Sequence, residues 1–368
     1  MTHPSRPQPK QSVRQLLTYR PSFGETEQAE LIRLSANEGA LGPSPKVMSF
    51  LDSAGFEPHR YPEIQSGKLN QAIASRYRLD AEHIITSNGS DELIALLTMG
   101  YLEPGDEVVH SQYAFLVIPQ AVHIAGGVPV MAADDEDMTV SVDNMLAAVT
   151  QRTKMVFLVN PNNPTGTMIS MDEVRRLHAG LPESVMLVLD WAYAEYLDDG
   201  FTDEAAQMVE QYDNVVMTRT FSKLHGLAAF RLGWAYCPEH ILTTIGSIRG
   251  PFSVNSAAQQ AGIIAIEDID FQALSVAHND RWIAEMTDFL RQLGLEVVPS
   301  MTNFLLIGFD NMAHLTADEA AKRLAQDGIL LRTMAPYGLA NYLRMSMGTD
   351  AEMEKVKASF TRLCLNNQ

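Results

Sequence analysis

The run Thr220-Phe221-Ser222-Lys223 sets a lysine among small hydroxylic residues, and Arg231-Leu232-Gly233 follows it. A lysine amine becomes a nucleophile toward a carbonyl carbon when burial or neighbouring positive charge lowers its pKa. Lys223 comes just after the β-branched run Val215–Thr218, whose end and sequel offer hydroxyls at Thr218, Thr220 and Ser222. Hydroxyls at the C-terminal edge of a strand suit an anionic ligand, because open α/β sheets bind ligands at that edge. Arg231 adds a fork of donors matched to a phosphate dianion. Asn88-Gly89-Ser90-Asp91-Glu92 opens a helix after another short strand, and free N–H groups at a helix N-terminus favour phosphate. Taken singly, each has an ordinary explanation: a solvated lysine, an N-cap at Ser90 or Asp91, a turn.

Asp190 ends the apolar run Val185–Leu189. It reads either as a cap of the following turn or as the carboxylate that meets a pyridinium nitrogen. At about 4 Å and an effective dielectric near 20, that attraction is worth roughly 4 kcal/mol, enough to keep the ring nitrogen protonated. Tyr193, three residues on, and Asn163, in Asn160-Pro161-Asn162-Asn163-Pro164-Thr165-Gly166, are placed to bind a phenolic oxygen on the same ring. Tyr113, just beyond the strand Glu107–His110, is placed to stack on a planar ring. An amine, a carboxylate for a ring nitrogen and a phosphate cup together describe a site for pyridoxal 5'-phosphate (PLP).

These residues need a scaffold that brings strand ends together. Between residues 84 and 236, short β-branched runs alternate with helical stretches, and several runs are apolar throughout, as in strands buried on both faces. Strands are expected at 84–86, 107–110, 128–131, 155–159, 185–189, 215–218 and 232–236. Helices are expected at 91–101, 115–125 and 172–181. This βαβα order predicts an α/β fold with a mostly parallel sheet covered by helices. After about residue 270 the pattern changes. A long amphipathic stretch over 271–293 precedes strands at 296–298, 304–307, 329–332 and 342–347, interleaved with helices at 317–327 and 351–363. The expected division is an N-terminal arm and small-domain segment over 1–30, a large PLP-binding domain over 31–268, and a smaller α+β domain over 269–368.

The chain has 368 residues, 46% of them hydrophobic, with a net charge of -18. That acidity argues against nucleic acid or an anionic membrane surface as a partner. Cys237 and Cys364 are the two cysteines and imply neither a disulfide framework nor a metal site. No apolar run is long enough to span a membrane, and residues 1–21 do not read as a secretory signal. The cytoplasm is the expected compartment.

In order and spacing the motifs resemble the fold-type I, class I/II PLP-dependent aminotransferases, most closely the histidinol-phosphate aminotransferases. The resemblance runs from about Leu31 to Gly348. It rests on Leu34-Ser35-Ala36-Asn37-Glu38, Gly42-Pro43-Ser44-Pro45, Arg60-Tyr61-Pro62 and Gly89-Ser90-Asp91-Glu92, then the 160–166 run, Asp190 with Ala192-Tyr193, and Arg219–Lys223 with Arg231-Leu232-Gly233. Asn303-Phe304, Gly328-Ile329 with Arg332, and Leu343-Arg344 complete it. The resemblance implies that Lys223 forms the Schiff base and moves the substrate proton, with Asp190 on the ring nitrogen. It places Tyr193 and Asn163 on the ring oxygen, Tyr113 on the ring face, and Ser90, Asp91, Thr220, Ser222 and Arg231 around the phosphate. It further implies a homodimer with shared sites, Tyr61 reaching the phosphate in the neighbouring subunit. Arg344 would bind the substrate α-carboxylate, Tyr19 and Arg332 a distal phosphate, and Asn37 and Asn163 would also face the substrate. The implied partners are a small amino donor and a 2-oxo acid. The sequence departs from this pattern at Trp191, where many relatives have Glu, and at Ala229-Phe230, where Gly-Leu is common. Side-chain preference stays open between histidinol phosphate and an aromatic or other amino acid, and a decarboxylase of a phosphorylated amino acid shares the fold and cofactor.

Overall fold

The computed structural model describes residues 8–14, 16, 31–53, 55–197, 199–312 and 314–365. Seven strands form the larger sheet: β2 (Ile84–Ser87), β3 (Glu107–Ser111), β4 (Val128–Ala132), β5 (Thr153–Val159), β6 (Met186–Asp190), β7 (Val215–Thr220) and β8 (Gly233–Tyr236). Their spatial order is β2-β8-β7-β6-β5-β3-β4, and all neighbouring pairs are parallel except those made by β8. Helices cover both faces, as the continuous apolar runs predict. Along β5, Val156 and Leu158 enter one core while Met155, Phe157 and Val159 enter the other. On β6, Leu187 and Leu189 alternate in the same way with Met186 and Val188. This two-residue period follows from the pleat of a strand.

The remaining strands are β1 (Ile32–Arg33), β9 (Glu296–Val298), β10 (Phe304–Gly308), β11 (Ile329–Leu330), β12 (Arg332–Thr333) and β13 (Tyr342–Ser346). A four-stranded antiparallel sheet has the order β12-β13-β10-β9. Helices Ile269–Gln292, Ala317–Gln326 and Asp350–Leu365 pack on one face of it, where Leu305, Ile307, Leu343 and Met345 are fully buried. Its other face, with Val298, Leu306 and Tyr342, packs against Tyr113 and Met138 of the larger unit. Thr316 and Glu319 close a capping box on the middle helix, a local feature worth about 1 kcal/mol.

Two strand expectations change. The single strand over 329–332 is two strands, because the chain changes partners at the buried Leu331: β11 pairs in parallel with β1, and β12 pairs with β13. β1 itself carries too short a pattern to be read in advance, yet Ile32 and Leu34 belong to the same core as the C-terminal helices. Helices Pro45–Asp52, Gly67–Tyr77, Asp199–Gln211 and Glu239–Ile248 add to those foreseen. Among the described residues, no helix is long and apolar enough to cross a membrane.

Candidate active site

The parallel strands β5, β6 and β7 run in register, Val159 opposite Asp190 and Asp190 opposite Thr218. Their C-terminal ends therefore open side by side on one edge of the sheet. The loops that follow deliver Asn163, Tyr193 and Lys223 to that edge, and the helix Ser90–Tyr101, which follows β2, delivers Ser90 and Asp91. The smaller unit closes the opposite side with Arg332 and Arg344, and the segment over 35–38 crosses between them. The result is a cavity of about 450 Å³.

Lys223 is half-buried on the cavity wall, and its Nζ donates to the Ala36 carbonyl at 3.2 Å. Burial and the Arg344 guanidinium pull its pKa down to about 8. The loop reaches this place because the 39–43 segment crosses it at glycines. A Cβ on Gly39 would stand 2.6 Å from the Lys223 carbonyl, and one on Gly226, at φ +67°, would stand 2.3 Å from the Gly42 backbone. Asp190 is buried at the end of β6, and its carboxyl is pushed up to about 7. Burial is the main cause and the Asp91 carboxylate the second; the Thr218 hydroxyl, 3.4 Å away, works against them. A buried carboxyl in this condition is one that a cationic ring nitrogen would return to its charged form.

Tyr193 is buried, and its hydroxyl accepts from Asn37 Nδ2 at 2.7 Å. Asn37 holds a left-handed backbone (φ 57°) and is pinned by Ser346 Oγ, which accepts its N–H at 2.9 Å. Asn163 Oδ1 accepts from Arg344, whose other nitrogen donates to the Ser35 carbonyl at 3.0 Å. Arg231 reaches Asp91 at 3.2 Å and passes so close to Gly89 that a Cβ there would stand 2.6 Å from the guanidinium. Gly89 has φ +84°, so a glycine is required both by its backbone and by the arginine that crosses it. Thr220 and Ser222 line the same end of the cavity, with the Ser222 N–H donating to Thr220 Oγ1 at 3.1 Å.

Twelve of the expected residues thus meet at one cavity: Asn37, Ser90, Asp91, Asn163, Asp190, Tyr193, Thr220, Ser222, Lys223, Arg231, Arg332 and Arg344. Three do not. Tyr19 lies outside the described residues. Tyr61 is 81% exposed and stands off the cavity wall. Tyr113 is not among the residues that line the cavity. Its N–H donates to Asp134 at 3.2 Å, and its side chain packs with Tyr337 on the apolar cluster around Leu306 and Met334. The aromatic residues that do line it are Phe115, Tyr193 and Tyr337. Phe115 lies beyond the end of β3 at Ser111, where strand alternation no longer marks which side chains turn inward, so the sequence offered no signal for it. Gln120 and Tyr337 are further wall residues that the sequence reading missed.

A buried acid awaiting a cation, a lysine with a lowered pKa and a Gly89-Ser90-Arg231 cradle fit PLP as a donor set. Comparison with known proteins agrees. Residues 29–360 match the family Aminotransferase class I and II. A histidinol-phosphate aminotransferase of Rhodospirillum centenum is 48% identical over 326 residues, covering 89% of this chain and 90% of that protein. One from Maricaulis maris is 44% identical over 350 residues, covering 95% and 96%. The fold matches a crystal structure of histidinol-phosphate aminotransferase from Sinorhizobium meliloti in complex with pyridoxal-5'-phosphate, with a TM-score of 0.84 and 27% identity over 92% of both chains. The chain belongs to the class I and II aminotransferases, and within them to the histidinol-phosphate aminotransferase family.

Proposed function

We propose that this chain exchanges the amino group of L-histidinol phosphate with the keto group of 2-oxoglutarate, giving imidazole acetol phosphate and L-glutamate. The observation that carries this reading is the pairing of Arg332 with Arg344. They are direct cross-strand partners on β12 and β13, both buried, and both lining the cavity that holds Lys223. Like charges directly opposite in a sheet repel, so the pair is favoured when an anion lies between them. Histidinol phosphate has no α-carboxylate; its phosphate carries the charge at that end of the molecule. The same guanidinium of Arg344 would take the α-carboxylate of glutamate or 2-oxoglutarate in the other half of the exchange. One cavity then serves two donors of different shape by the charge they share.

PLP, when bound, supplies the electron sink that makes the substrate Cα–H acidic. Ser90, Asp91, Thr220, Ser222 and Arg231 would hold its phosphate end, Asp190 its ring nitrogen, and Tyr193 and Asn163 its ring oxygen. Tyr113 would stack on the ring face. Lys223 would anchor the cofactor through its amine and, once released by substrate, carry the proton at Cα. An amine with a pKa near 8 is half neutral at pH 8, whereas an ordinary lysine near 10.4 is neutral to less than about 1%. Lysine-directed acylating reagents should therefore label Lys223 in cofactor-stripped protein roughly a hundredfold faster than surface lysines at pH 8. Equal labelling, measured by peptide mass spectrometry, would show that the amine is not activated.

The same reading includes a homodimer in which Tyr61 reaches the partner's site, and a cytoplasmic location. It divides the chain into the arm over 1–30, the cofactor unit over 31–268 and the smaller unit over 269–368, with β1 packed on the last. The aromatic wall at Phe115 gives an aromatic amino-acid donor some claim as the alternative. The deciding measurement is kcat/KM with 2-oxoglutarate as acceptor, for L-histidinol phosphate, phenylalanine and tyrosine side by side. Histidinol phosphate should lead by more than about tenfold. A higher value for either aromatic amino acid would overturn the assignment.

A further inference from the structure

Tyr61 leaves 81% of its surface in solvent, yet its ring lies flat on another ring. It stacks on Phe252 with centroids 4.4 Å apart and planes inclined by 20°. Phe252 has φ +61°, a left-handed backbone that a bulky side chain rarely adopts and that surrounding structure must enforce. The neighbouring residues of Phe252 also fix the backbone around Tyr61. Arg249 donates to the carbonyls of Ile64, at 3.0 Å, and Thr86, so the 60–64 segment is tied to β2. Gln259 donates to the carbonyls of Glu63, at 2.9 Å, and Val254, at 3.0 Å. One continuous stretch, 249–259, therefore shapes both the path of the Tyr61 segment and the angle of its ring.

A ring that gains so little burial from its own chain is held in one orientation at the expense of strain in its neighbour. That arrangement is preorganisation for something outside the chain. We propose that Phe252 is a positioning residue, which holds Tyr61 at the angle at which its hydroxyl enters the active site of a second copy of this chain and binds the cofactor phosphate. The inference rests on the shared-site homodimer proposed above. It goes further in assigning the aim of Tyr61 to a residue that touches neither cofactor nor substrate in this role. Of the two stacked rings, only Tyr61 would reach the phosphate.

The test measures PLP dissociation from the holoenzyme by absorbance, with sedimentation velocity on the same samples. Phe252→Ala should remain dimeric and hold PLP about tenfold more weakly, and Phe252→Tyr, which can still stack, should stay within about twofold of the parent. On a Tyr61→Phe background, Phe252→Ala should add less than about twofold, because both changes remove the same contact. A hybrid dimer separates action in trans from a local effect. When a Phe252→Ala chain pairs with a Lys223→Ala chain, the site that keeps Lys223 receives Tyr61 from the chain with Phe252 intact. That site should hold PLP as the parent does. Unchanged affinity in Phe252→Ala, losses that multiply in the double variant, a weakened hybrid site, or a Phe252→Ala protein that is monomeric where the parent is dimeric would each overturn the proposal. A monomeric parent protein would instead overturn the shared-site reading, and the proposal with it.

Discussion

Replacing Lys223 with alanine is expected to leave a folded protein whose turnover falls by more than about 10³-fold in both half-reactions. The size follows from the role proposed for the amine: among the described residues no other lysine lines the cavity, so the proton at Cα would lose its carrier. The fold should survive, because the Lys223 side chain contributes a hydrogen bond to the Ala36 carbonyl and a partly desolvated charge that burial disfavours. The loop around it is held by other means, including the Leu227 N–H donating to the Phe221 carbonyl at 3.0 Å. Single-turnover rates and thermal unfolding on one preparation check both halves of the statement. Borohydride reduction of the parent protein with PLP should fix the label on the peptide carrying Lys223. Activity within tenfold of the parent, or a label on another lysine, would remove Lys223 from the centre of the chemistry.

Arg344→Ala should lower kcat/KM for glutamate and for histidinol phosphate alike, by about 10²- to 10³-fold, the usual cost of truncating a buried charge that binds an ion. The guanidinium is buried, braced by Asn163 and by the Ser35 carbonyl, and faces Arg332 across the sheet. Loss of only one donor would mean that the two substrates do not share this anion site. A second effect has a definite sign. Arg344 is one of the causes that lower the Lys223 pKa, so its removal should raise that pKa. Labelling of Lys223 at pH 8 should then slow. Arg344→Lys should recover the charge effect on Lys223 better than the substrate affinity, because a point charge does not reproduce a two-pronged contact.

The polar end of the site was legible because its residues sit at strand ends that the local pattern already marks. Asp190 closes an apolar run, Lys223 follows a β-branched run, and Ser90 opens a helix, so strand and helix boundaries placed them on one edge before any contact was known. The same logic found the strands of the larger sheet to within two residues at each end, since residues buried on both faces leave unbroken apolar runs. It missed Phe115, a cavity-lining residue in the loop after β3, and β1, whose two residues gain their strand from a partner 297 positions away.

By itself, then, the sequence determined which chemical groups this protein brings to its cavity: the Lys223 amine, the Asp190 carboxyl, the donors of Ser90 and Arg231, and two distant arginines. Residue type fixes those, and local periodicity fixes the elements that carry them. Only the tertiary structure decided how the groups act on one another. Strand register sets Arg332 directly opposite Arg344 on the cavity wall. Lys223 drops to about 8 and Asp190 rises to about 7 through burial and through charges contributed by other elements. Register and burial are sums over contacts between segments far apart in the chain, and no window of sequence contains them.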